Sequence, residues 1–348
     1  MDGLPVWPGG ISLADRSGQI EDFLQRAGWV GVERRTLAAD ASFRRYDRLL
    51  LGSRRAVLMD APPPKEDVRP FLRVGEHLTA LGYSAPRILA RDEEAGFLLL
   101  EDLGDDTFTR LLAAGADEAG LYRLATDLLI DLHRRPAEEA VPAGLPRYDD
   151  DRLVEEAALL TEWYMPAIDR APVPDATNRE YRDLWRMTLR HARHVPESLV
   201  LRDYHVDNLM RLPEREGVAA CGLLDFQDAV RGPVTYDLVS LLEDARRDID
   251  TGIAAEMTSR YLDAFPELDH GAFKASMAIL GAQRHAKVIG IFTRLCRRDG
   301  KPDYLAHIPR VWKLFERACA HPSLGAIRHW IDAHIPPHRR GIPPEAAA

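Results

Sequence analysis

The densest cluster of polar side chains lies between two apolar runs, in the segment SLVLRDYHVDNLM at residues 198–210. Within it, Asp203 and Asn208 are five residues apart, and a further acid, Asp225, follows the apolar run CGLL. Phosphoryl transfer uses such groups, because one carboxylate orients an attacking hydroxyl while amide and carboxylate oxygens hold Mg²⁺ on the phosphates. If the two segments pair as a hairpin, all three side chains come to one end of it. The pattern predicts magnesium-dependent phosphoryl transfer, against the alternative that Asp203 and Asn208 are turn residues.

The composition of the 348-residue chain narrows the classes of partner. Its 46 basic and 55 acidic residues give a net charge of −9, which disfavours nucleic-acid binding. Only five basic residues are lysines, so we expect arginine to recognise most anions. The three cysteines form no CxxC pair, which gives no indication of a zinc site or a disulfide framework. With no signal-like start and no long apolar run, we expect a cytoplasmic protein that binds neither membranes nor nucleic acid.

The order of periodic segments predicts two lobes. Between residues 32 and 60, three short alternating segments separated by turn residues are typical of antiparallel strands. A helical pattern ends at Gly82, and two more strand-like runs follow it. Beyond them the spacing of Leu and Ala is helical, apart from the insert that carries the polar cluster. The prediction is an α+β chain with a small antiparallel β lobe (residues 1–102) and a larger, mainly helical lobe (residues 103–348).

A family resemblance rests on two segments, VLRDYHVDNLM and GLLDFQDAVRGPVTYDL. They resemble the catalytic core of the aminoglycoside phosphotransferase and choline kinase superfamily, which has a bilobal protein-kinase-like fold. The family pattern is H-G-D-x-H-x-x-N, then an apolar run ending in D, then a downstream D-L. The resemblance implies an enzyme that uses ATP and Mg²⁺. The chain departs from the pattern at its first two positions, where Leu201 and Arg202 replace His and Gly, and this departure matters less than a second one at Met59. The resemblance implies the following roles: Asp203 as catalytic base, Asn208 and Asp225 as metal ligands, and His205 and Asp237 as structural support.

The resemblance also implies a nucleotide site. The strand-like run FLLL leads into a linker whose backbone receives the adenine in this fold. Met59 stands where protein kinases carry a phosphate-binding Lys, so another cation must take that role. The nearest candidates lie in the turn that would cover the nucleotide, with Lys65 behind them, and the alternative is a solvated hairpin. The residues implied in nucleotide binding are Arg44, Arg45, Glu101, Asp102 and Leu103.

A finer resemblance is to the bacterial cell-wall sugar 1-kinases, which phosphorylate N-acetylmuramate and N-acetylglucosamine at the anomeric hydroxyl. It rests on ASFRRY, LMDAPP, LLLEDLGD, the two catalytic segments and QRHAKVIGIFTRLCRRDGKPDYLAHIPRVW. The last block implies helices near the acceptor, where Arg284, Lys287 and Arg294 would suit a lactyl carboxylate. The substrate implied is a small amino sugar. The alternative for these three residues is a solvated charged helix.

Two other functions stay open at this point. The same fold could phosphorylate an aminoglycoside, choline or homoserine, although the basic segment 284–298 disfavours cationic acceptors. A catalytically silent nucleotide-binding regulator is suggested by Met59 and disfavoured by the complete set of Asp203, Asn208 and Asp225. The sequence does not distinguish N-acetylmuramate from N-acetylglucosamine or ATP from GTP, and it predicts no oligomeric state.

Overall fold

The structure, a computed structural model, describes residues 13–39 and 43–343, which form two compact units. The first unit comprises the described residues up to Thr107 together with Met210–Asp228, and the second comprises Phe108–Leu209 together with the described residues from Ala229 onward. Met210–Asp228, which a division at residue 102 places in the larger lobe, thus belongs with the first unit. Residues 40–42 of the predicted nucleotide-covering turn and residues 344–348 of the tail lie outside the described residues.

The helices and strands follow the expected order. Up to residue 107 they are α1 (Leu13–Arg26), β1 (Glu33–Ala39), β2 (Arg45–Leu51), β3 (Arg54–Asp60), α2 (Arg69–Ala80), β4 (Ile88–Asp92) and β5 (Phe97–Leu100). Next come α3 (Phe108–Ala113), α4 (Glu118–Arg134), α5 (Ala137–Ala140), α6 (Asp150–Leu159), a π-helical turn (Leu160–Tyr164), α7 (Met165–Asp169) and α8 (Asp175–Ala192). The chain continues with β6 (Glu197–Val200), β7 (Leu209–Arg211), β8 (Cys221–Leu223), β9 (Val230–Pro233), α9 (Thr235–Leu242), α10 (Thr251–Ala264), α11 (His270–Asp299), α12 (Ile308–Ala318) and α13 (Gly325–His334). None of the helices in the described part of the chain is long and apolar enough to cross a membrane.

The first unit is built on a five-stranded antiparallel sheet with the order β1-β2-β3-β5-β4. Alternation along β5 divides its side chains between two faces. Phe97 and Leu99 lie in one apolar core with Phe23 and Leu24 of α1. Met59 pairs in register with Leu98, which alternates with those two core residues. The five strands predicted before residue 103 are confirmed.

A short two-stranded sheet of β7 and β8 also belongs to the first unit. Its Gly222 forms a bridge with Ser84, and the ring of Phe226 lies 4.8 Å from the ring of Phe71 on α2. The expected hairpin is therefore present, but it begins at Leu209. The earlier part of the same apolar segment forms β6, which pairs with β9 in the second unit.

The second unit is organised around α11, which packs against α6, α8, α9 and α12. Gly290 permits a close approach of α11 to the end of α6, since a Cβ atom there would lie 2.3 Å from the carbonyl carbon of Leu159. Lys287 lies three residues before Gly290 on α11, and Glu156 lies three residues before Leu159 on α6. The near contact of the two backbones therefore brings these oppositely charged side chains together inside the unit.

Candidate active site

Asp203 lies in the loop between β6 and β7, and the loop is held by its own hydrogen bonds. The Asp203 amide donates to the Leu201 carbonyl at 2.9 Å. Asn208 Nδ2 donates to the Asp203 carbonyl at 2.9 Å, and the Asn208 amide donates to the carbonyl of His205, also at 2.9 Å. These bonds fix the two ends of the polar segment relative to each other. The five-residue spacing of Asp203 and Asn208 is therefore the one that lets the Asn208 side chain close the loop on the Asp203 carbonyl.

Asp237, in the first turn of α9, anchors the start of this loop. It is buried, and its two carboxylate oxygens accept hydrogen bonds from the backbone amides of Leu201 and Arg202 at 2.6 and 2.9 Å. Burial raises the pKa of Asp237 to about 7, although the two amide donors and the charge of Arg284 act in the opposite direction. Asp237 thus sets the backbone that immediately precedes Asp203.

Backbone strain marks two positions of the predicted site. Among the described residues, only Arg170, Arg202 and Asp225 are non-glycine residues with positive φ. Arg202 has φ 70° and Asp225 has φ 58°, and such conformations cost of order 1–3 kcal/mol and persist only where the surroundings impose them. Arg202 precedes Asp203, and Asp225 is a predicted metal ligand. Strain concentrated at these positions is typical of a functional site.

A buried charge cluster lies beside the Asp203 loop in the second unit. Glu156 forms ion pairs with the Arg202 guanidinium and with Lys287 Nζ, the latter at 3.0 Å, and it accepts a hydrogen bond from the Tyr148 hydroxyl. Burial raises the pKa of Glu156, but the positive charges of Lys287 and Arg202 outweigh that effect and hold it below its usual value. Glu156 is therefore ionised and shared by two cations.

Lys287 also acts on Asp203, together with Arg284. Burial raises its pKa, but the charges of Lys287 and then Arg284 more than compensate, and the resulting pKa lies below the ordinary aspartate value. Asp203 is thus a carboxylate at neutral pH and a weak base. Such a group accepts a hydrogen bond from a hydroxyl and orients it more effectively than it removes the proton.

The three predicted substrate-binding residues on α11 have different surroundings. Arg284 is 7% exposed and donates to Ser240 Oγ at 2.5 Å, and Lys287 is 8% exposed and paired with Glu156. For these two, the alternative of a solvated charged helix is wrong. Arg294 is half-buried and lies seven residues beyond Lys287, which is roughly 10 Å along a helix. The structure thus brings Arg284 and Lys287 to the Asp203 loop, with Arg294 about two turns farther along α11.

His205 is buried within the same loop. Its Nε2 lies 3.4 Å from Asn208 Nδ2, and its Nδ1 lies 3.7 Å from Asp207 Oδ2. Burial lowers the pKa of His205, which the nearby charge of Asp244 partly opposes. The imidazole therefore packs against the Asn208 amide from inside the loop.

The first unit holds Asp225 and the predicted nucleotide-binding residues. Gln227 Nε2 donates to Asp225 Oδ1 at 2.7 Å, so the carboxylate is oriented by its own turn. Asp225 offers carboxylate oxygens and Asn208, in the second unit, offers an amide oxygen, and both kinds of oxygen suit a hard cation such as Mg²⁺ better than zinc. No group of three or more His, Cys, Asp or Glu residues able to hold a metal is found within residues 13–39 and 43–343. Mg²⁺ does not need one, because it is usually bound by one or two carboxylates together with substrate phosphates.

The linker after β5 is held by arginines. Arg48 forms an ion pair with Asp102 at 2.7 Å, and Arg215 pairs with Glu101 at 2.6 Å. The Glu101 amide donates to the carbonyl of Arg87 at 2.8 Å. The linker side chains are thus used inside the first unit, and an adenine would be recognised there by the backbone beyond Glu101.

The two candidate replacement cations have acidic neighbours. Arg44 pairs with Glu66 at 2.8 Å and is largely buried, whereas Arg45 pairs with Asp47 at 3.2 Å and is half-exposed. Lys65 Nζ lies 4.1 Å from the centre of the Phe43 ring. Glu66 therefore ties Arg44, at the end of the predicted covering turn, to the segment that follows β3.

Sequence reasoning missed Glu156, Ser240 and Tyr148. Glu156 lies on α6 beside the exposed Glu155, and nothing in the local pattern distinguishes the two acids. Their difference arises from the packing of α6 on α11, which joins residues more than a hundred positions apart. The strongest local signal of this buried charge cluster is Arg202, a charged residue at a position where the family pattern has Gly.

Comparison with known proteins shows the family to which the chain belongs. The phosphotransferase enzyme family model matches residues 33–271. The N-acetylmuramate/N-acetylglucosamine kinase of Caulobacter vibrioides is 36% identical over 359 residues, covering 94% of this chain and 99% of that protein. The protein of the same name from Pseudomonas aeruginosa is 40% identical, covering 81% of this chain and 82% of its own length. The predicted superfamily is confirmed.

Solved structures give the same fold at low sequence identity. Choline kinase LicA from Streptococcus pneumoniae superimposes with a TM-score of 0.61 at 13% identity, covering 89% of this chain and 99% of that one. Aminoglycoside 2'-phosphotransferase-IIIa gives a TM-score of 0.56 at 14% identity, covering 88% and 99%. These matches confirm the predicted protein-kinase-like α+β fold. On the family match, the two relatives and the arrangement of the Asp203 loop, this chain belongs to the phosphotransferase enzyme family.

Proposed function

We propose that this protein is an ATP- and Mg²⁺-dependent kinase that phosphorylates the anomeric hydroxyl of N-acetylmuramate, N-acetylglucosamine or both, in the recycling of cell-wall sugars in the cytoplasm. The names of the relatives support the substrate class, and the sequence blocks shared with sugar 1-kinases support the position of phosphorylation. The observation that carries the proposal is the arrangement of the Asp203 loop: Asp237 fixes its backbone, and Glu156 and Ser240 join Arg202 of the loop to Lys287 and Arg284.

In this proposal Asp203 orients the attacking hydroxyl. The sugar oxygen forms a bond to the γ-phosphorus of ATP while the bond from that phosphorus to the ADP oxygen breaks, and the hydroxyl proton passes to Asp203 and then to solvent. An anomeric hydroxyl is more acidic than an ordinary alcohol. A carboxylate with a lowered pKa, such as Asp203, is therefore sufficient because orientation matters more than basicity.

The metal and the nucleotide are assigned to the other predicted residues. Asn208 and Asp225 would hold Mg²⁺, which would neutralise charge on the transferred phosphoryl group. The backbone of the linker, Asp102 and Leu103 in particular, would receive adenine, because the Glu101 amide already has a partner. Arg44 and Arg45 would supply positive charge toward the phosphates in place of the Lys that Met59 replaces.

Acceptor recognition is assigned to α11. Arg284 and Lys287 place positive charge near Asp203, which suits an acceptor with an acetamido oxygen or a carboxylate and disfavours a cationic one. Arg294, farther along the helix, would contact the far end of a larger acceptor. These contacts would leave the anomeric carbon facing Asp203.

The experiment that tests the proposal is a turnover panel with product identification. N-acetylmuramate, N-acetylglucosamine, their methyl glycosides, choline and kanamycin are each incubated with MgATP, and products are identified by phosphorus-proton correlation NMR. We expect a sugar 1-phosphate from the free sugars and no turnover of the methyl glycosides. A 6-phosphate, or efficient phosphorylation of a methyl glycoside, would refute the anomeric assignment, and turnover of choline or kanamycin alone would refute the substrate class.

A further inference from the structure

The backbone conformation of Arg202 needs an explanation beyond the sequence motif. With φ 70°, it lies in the left-handed region that glycine adopts without steric cost and that most other residues avoid. It also directly precedes Asp203, so any rotation of its backbone moves the carboxylate that we assign to catalysis. Contacts to the rest of the unit must hold Arg202 in place.

Three groups of Arg202 have partners in the second unit. The amide donates to Asp237 at 2.9 Å, and the carbonyl accepts a hydrogen bond from Ser240 Oγ at 3.3 Å. The guanidinium forms a hydrogen-bonded ion pair with Glu156 and lies 5.5 Å from the centre of the Tyr148 ring. The first two contacts use the backbone and are available to any residue, whereas the pair with Glu156 requires this side chain.

Glu156 divides its two oxygens between different elements. Oε1 pairs with Arg202 of the loop, and Oε2 lies 3.0 Å from Lys287 Nζ on α11 and also accepts the Tyr148 hydroxyl. The Glu156 and Lys287 side chains are only 13% and 10% exposed, so solvent screens their interaction poorly. One carboxylate therefore connects α6, α11 and the Asp203 loop.

Loss of this carboxylate would redirect Asp203. Lys287 is the strongest positive influence on Asp203, and Arg202 is its neighbour in the chain. Without Glu156, two buried cations would lack their counterion, and the charges of both already act on Asp203. An ion pair with Lys287 would draw the Asp203 carboxylate away from an acceptor hydroxyl.

We propose that Glu156 is a positioning residue for phosphoryl transfer: by holding both Arg202 and Lys287, it keeps the Asp203 carboxylate directed at the acceptor. This inference rests on the catalytic role proposed for Asp203. Glu156 itself touches neither substrate nor nucleotide in this account. Its effect is therefore expected in kcat and not in nucleotide binding.

The first test compares Glu156→Gln with Glu155→Gln. Glutamine keeps the size of the side chain and removes its charge, and Glu155 is an exposed neighbour whose ion pair is with Arg182. With full-length enzyme whose folding is verified by near-UV circular dichroism, we expect Glu156→Gln to lower kcat about 100-fold, the scale of a displacement of about 1 Å in a reacting group. The KM for MgATP should change less than about threefold. Glu155→Gln should match the wild type in both parameters.

The second test uses Arg202 and does not depend on the folding of the Glu156 variant. Glycine accepts φ 70° without strain, so Arg202→Gly should fold while losing the pair with Glu156. Its kcat should fall, but by no more than that of Glu156→Gln, because Lys287 keeps its pair with Glu156. Arg202→Lys keeps a cation for Glu156 but not the planar guanidinium, and it should recover part of the loss. The double variant Glu156→Gln with Arg202→Gly should be no slower than Glu156→Gln alone, since the loss of the Glu156 charge already breaks its pair with Arg202.

The outcomes separate this inference from the proposed function. If Asp203→Asn is inactive while Glu156→Gln or Arg202→Gly turns over like the wild type, the positioning role is refuted and the proposed catalytic role survives. Full turnover by Asp203→Asn would refute the catalytic role itself. Equal kcat values for Arg202→Gly and Arg202→Lys, both far below the wild type, would also overturn the role of the charge pair.

Discussion

The backbone amide of Arg202 donates a hydrogen bond to Asp237 Oδ1 at 2.9 Å, which ties the first turn of α9 to the residue before Asp203. The second carboxylate oxygen of Asp237 accepts the Leu201 amide, so both oxygens are used by one short stretch of backbone. A buried acceptor pair of this kind can be replaced only by another group with two acceptors.

Asp237→Asn leaves one acceptor where two are needed, because the NH₂ group of the asparagine would face a backbone N–H. We expect the free energy of unfolding to fall by about 1–3 kcal/mol, since a buried donor loses its acceptor. We also expect kcat to fall about 100-fold as the Asp203 loop shifts. Denaturant unfolding and steady-state kinetics on the same preparation measure both effects, and unchanged kcat in a destabilised variant would limit Asp237 to a role in stability.

The lowered pKa of His133 predicts how the free energy of unfolding depends on pH. Its Nδ1 lies 2.7 Å from the Tyr261 hydroxyl, and burial lowers its pKa to about 4, below the ordinary value of 6.5. The unfolded chain binds a proton at His133 more readily than the folded chain does. The contribution of neutral His133 to the free energy of unfolding is therefore fully present above pH 6.5 and is lost as the pH falls toward 4. The loss should amount to at most about 3 kcal/mol.

Urea unfolding of the wild type and of His133→Gln at pH 7.5 and pH 4.5 measures this contribution. The difference between the two proteins in free energy of unfolding should shrink at the lower pH. A difference that is the same at both pH values would show that His133 titrates normally in the folded protein.

Arg44 and Arg45 are the proposed replacements for the missing third-strand Lys. Arg44→Ala or Arg45→Ala should raise the KM for ATP about tenfold, the scale of one charge-assisted hydrogen bond, while the KM for the sugar stays nearly unchanged. Arg35→Ala is the matched control, because Arg35 is exposed on β1 and pairs with Glu33. If Lys65→Ala alters ATP kinetics and neither Arg44→Ala nor Arg45→Ala does, the cation lies after β3 and not in the turn.

Asp225→Ala removes a proposed ligand of the ion. Nucleotide affinity, measured by calorimetry with and without Mg²⁺, should become nearly independent of the metal in this variant. Asp228→Ala, three residues later on the exposed side of the same turn, is the control and should keep the wild-type dependence. A metal effect in Asp225→Ala equal to that of the wild type would remove Asp225 from the metal site.

Local sequence signals predicted the sheet and the motif residues. Short runs that alternate or are wholly apolar predicted the strands of the first hundred residues, and β5, an apolar run, is buried at all four of its residues. Asp203, Asn208 and Asp225 could be found because they interrupt apolar runs. Each of these signals is contained in a stretch of a few residues, so it can be recognised in a single sequence.

Long-range packing determined what could not be predicted. β9 consists of the four residues Val230–Pro233, two of them Gly and Pro, and it is a strand because β6 pairs with it. Glu156 has the sequence environment of a surface acid and is buried because Gly290 lets α11 approach α6. The charge balance around Asp203 depends on that approach, and no local pattern contains it.

The most direct test of the account is the turnover of Asp203→Asn with N-acetylmuramate and N-acetylglucosamine, measured beside its nucleotide affinity. An amide cannot accept the hydroxyl proton or orient the hydroxyl as the carboxylate does, so we expect kcat to fall at least about 100-fold, in the range of general-base losses. The Kd for MgATP and the thermal unfolding midpoint should stay close to those of the wild type. Turnover like that of the wild type would contradict the assignment of Asp203 and with it the mechanism built on this loop.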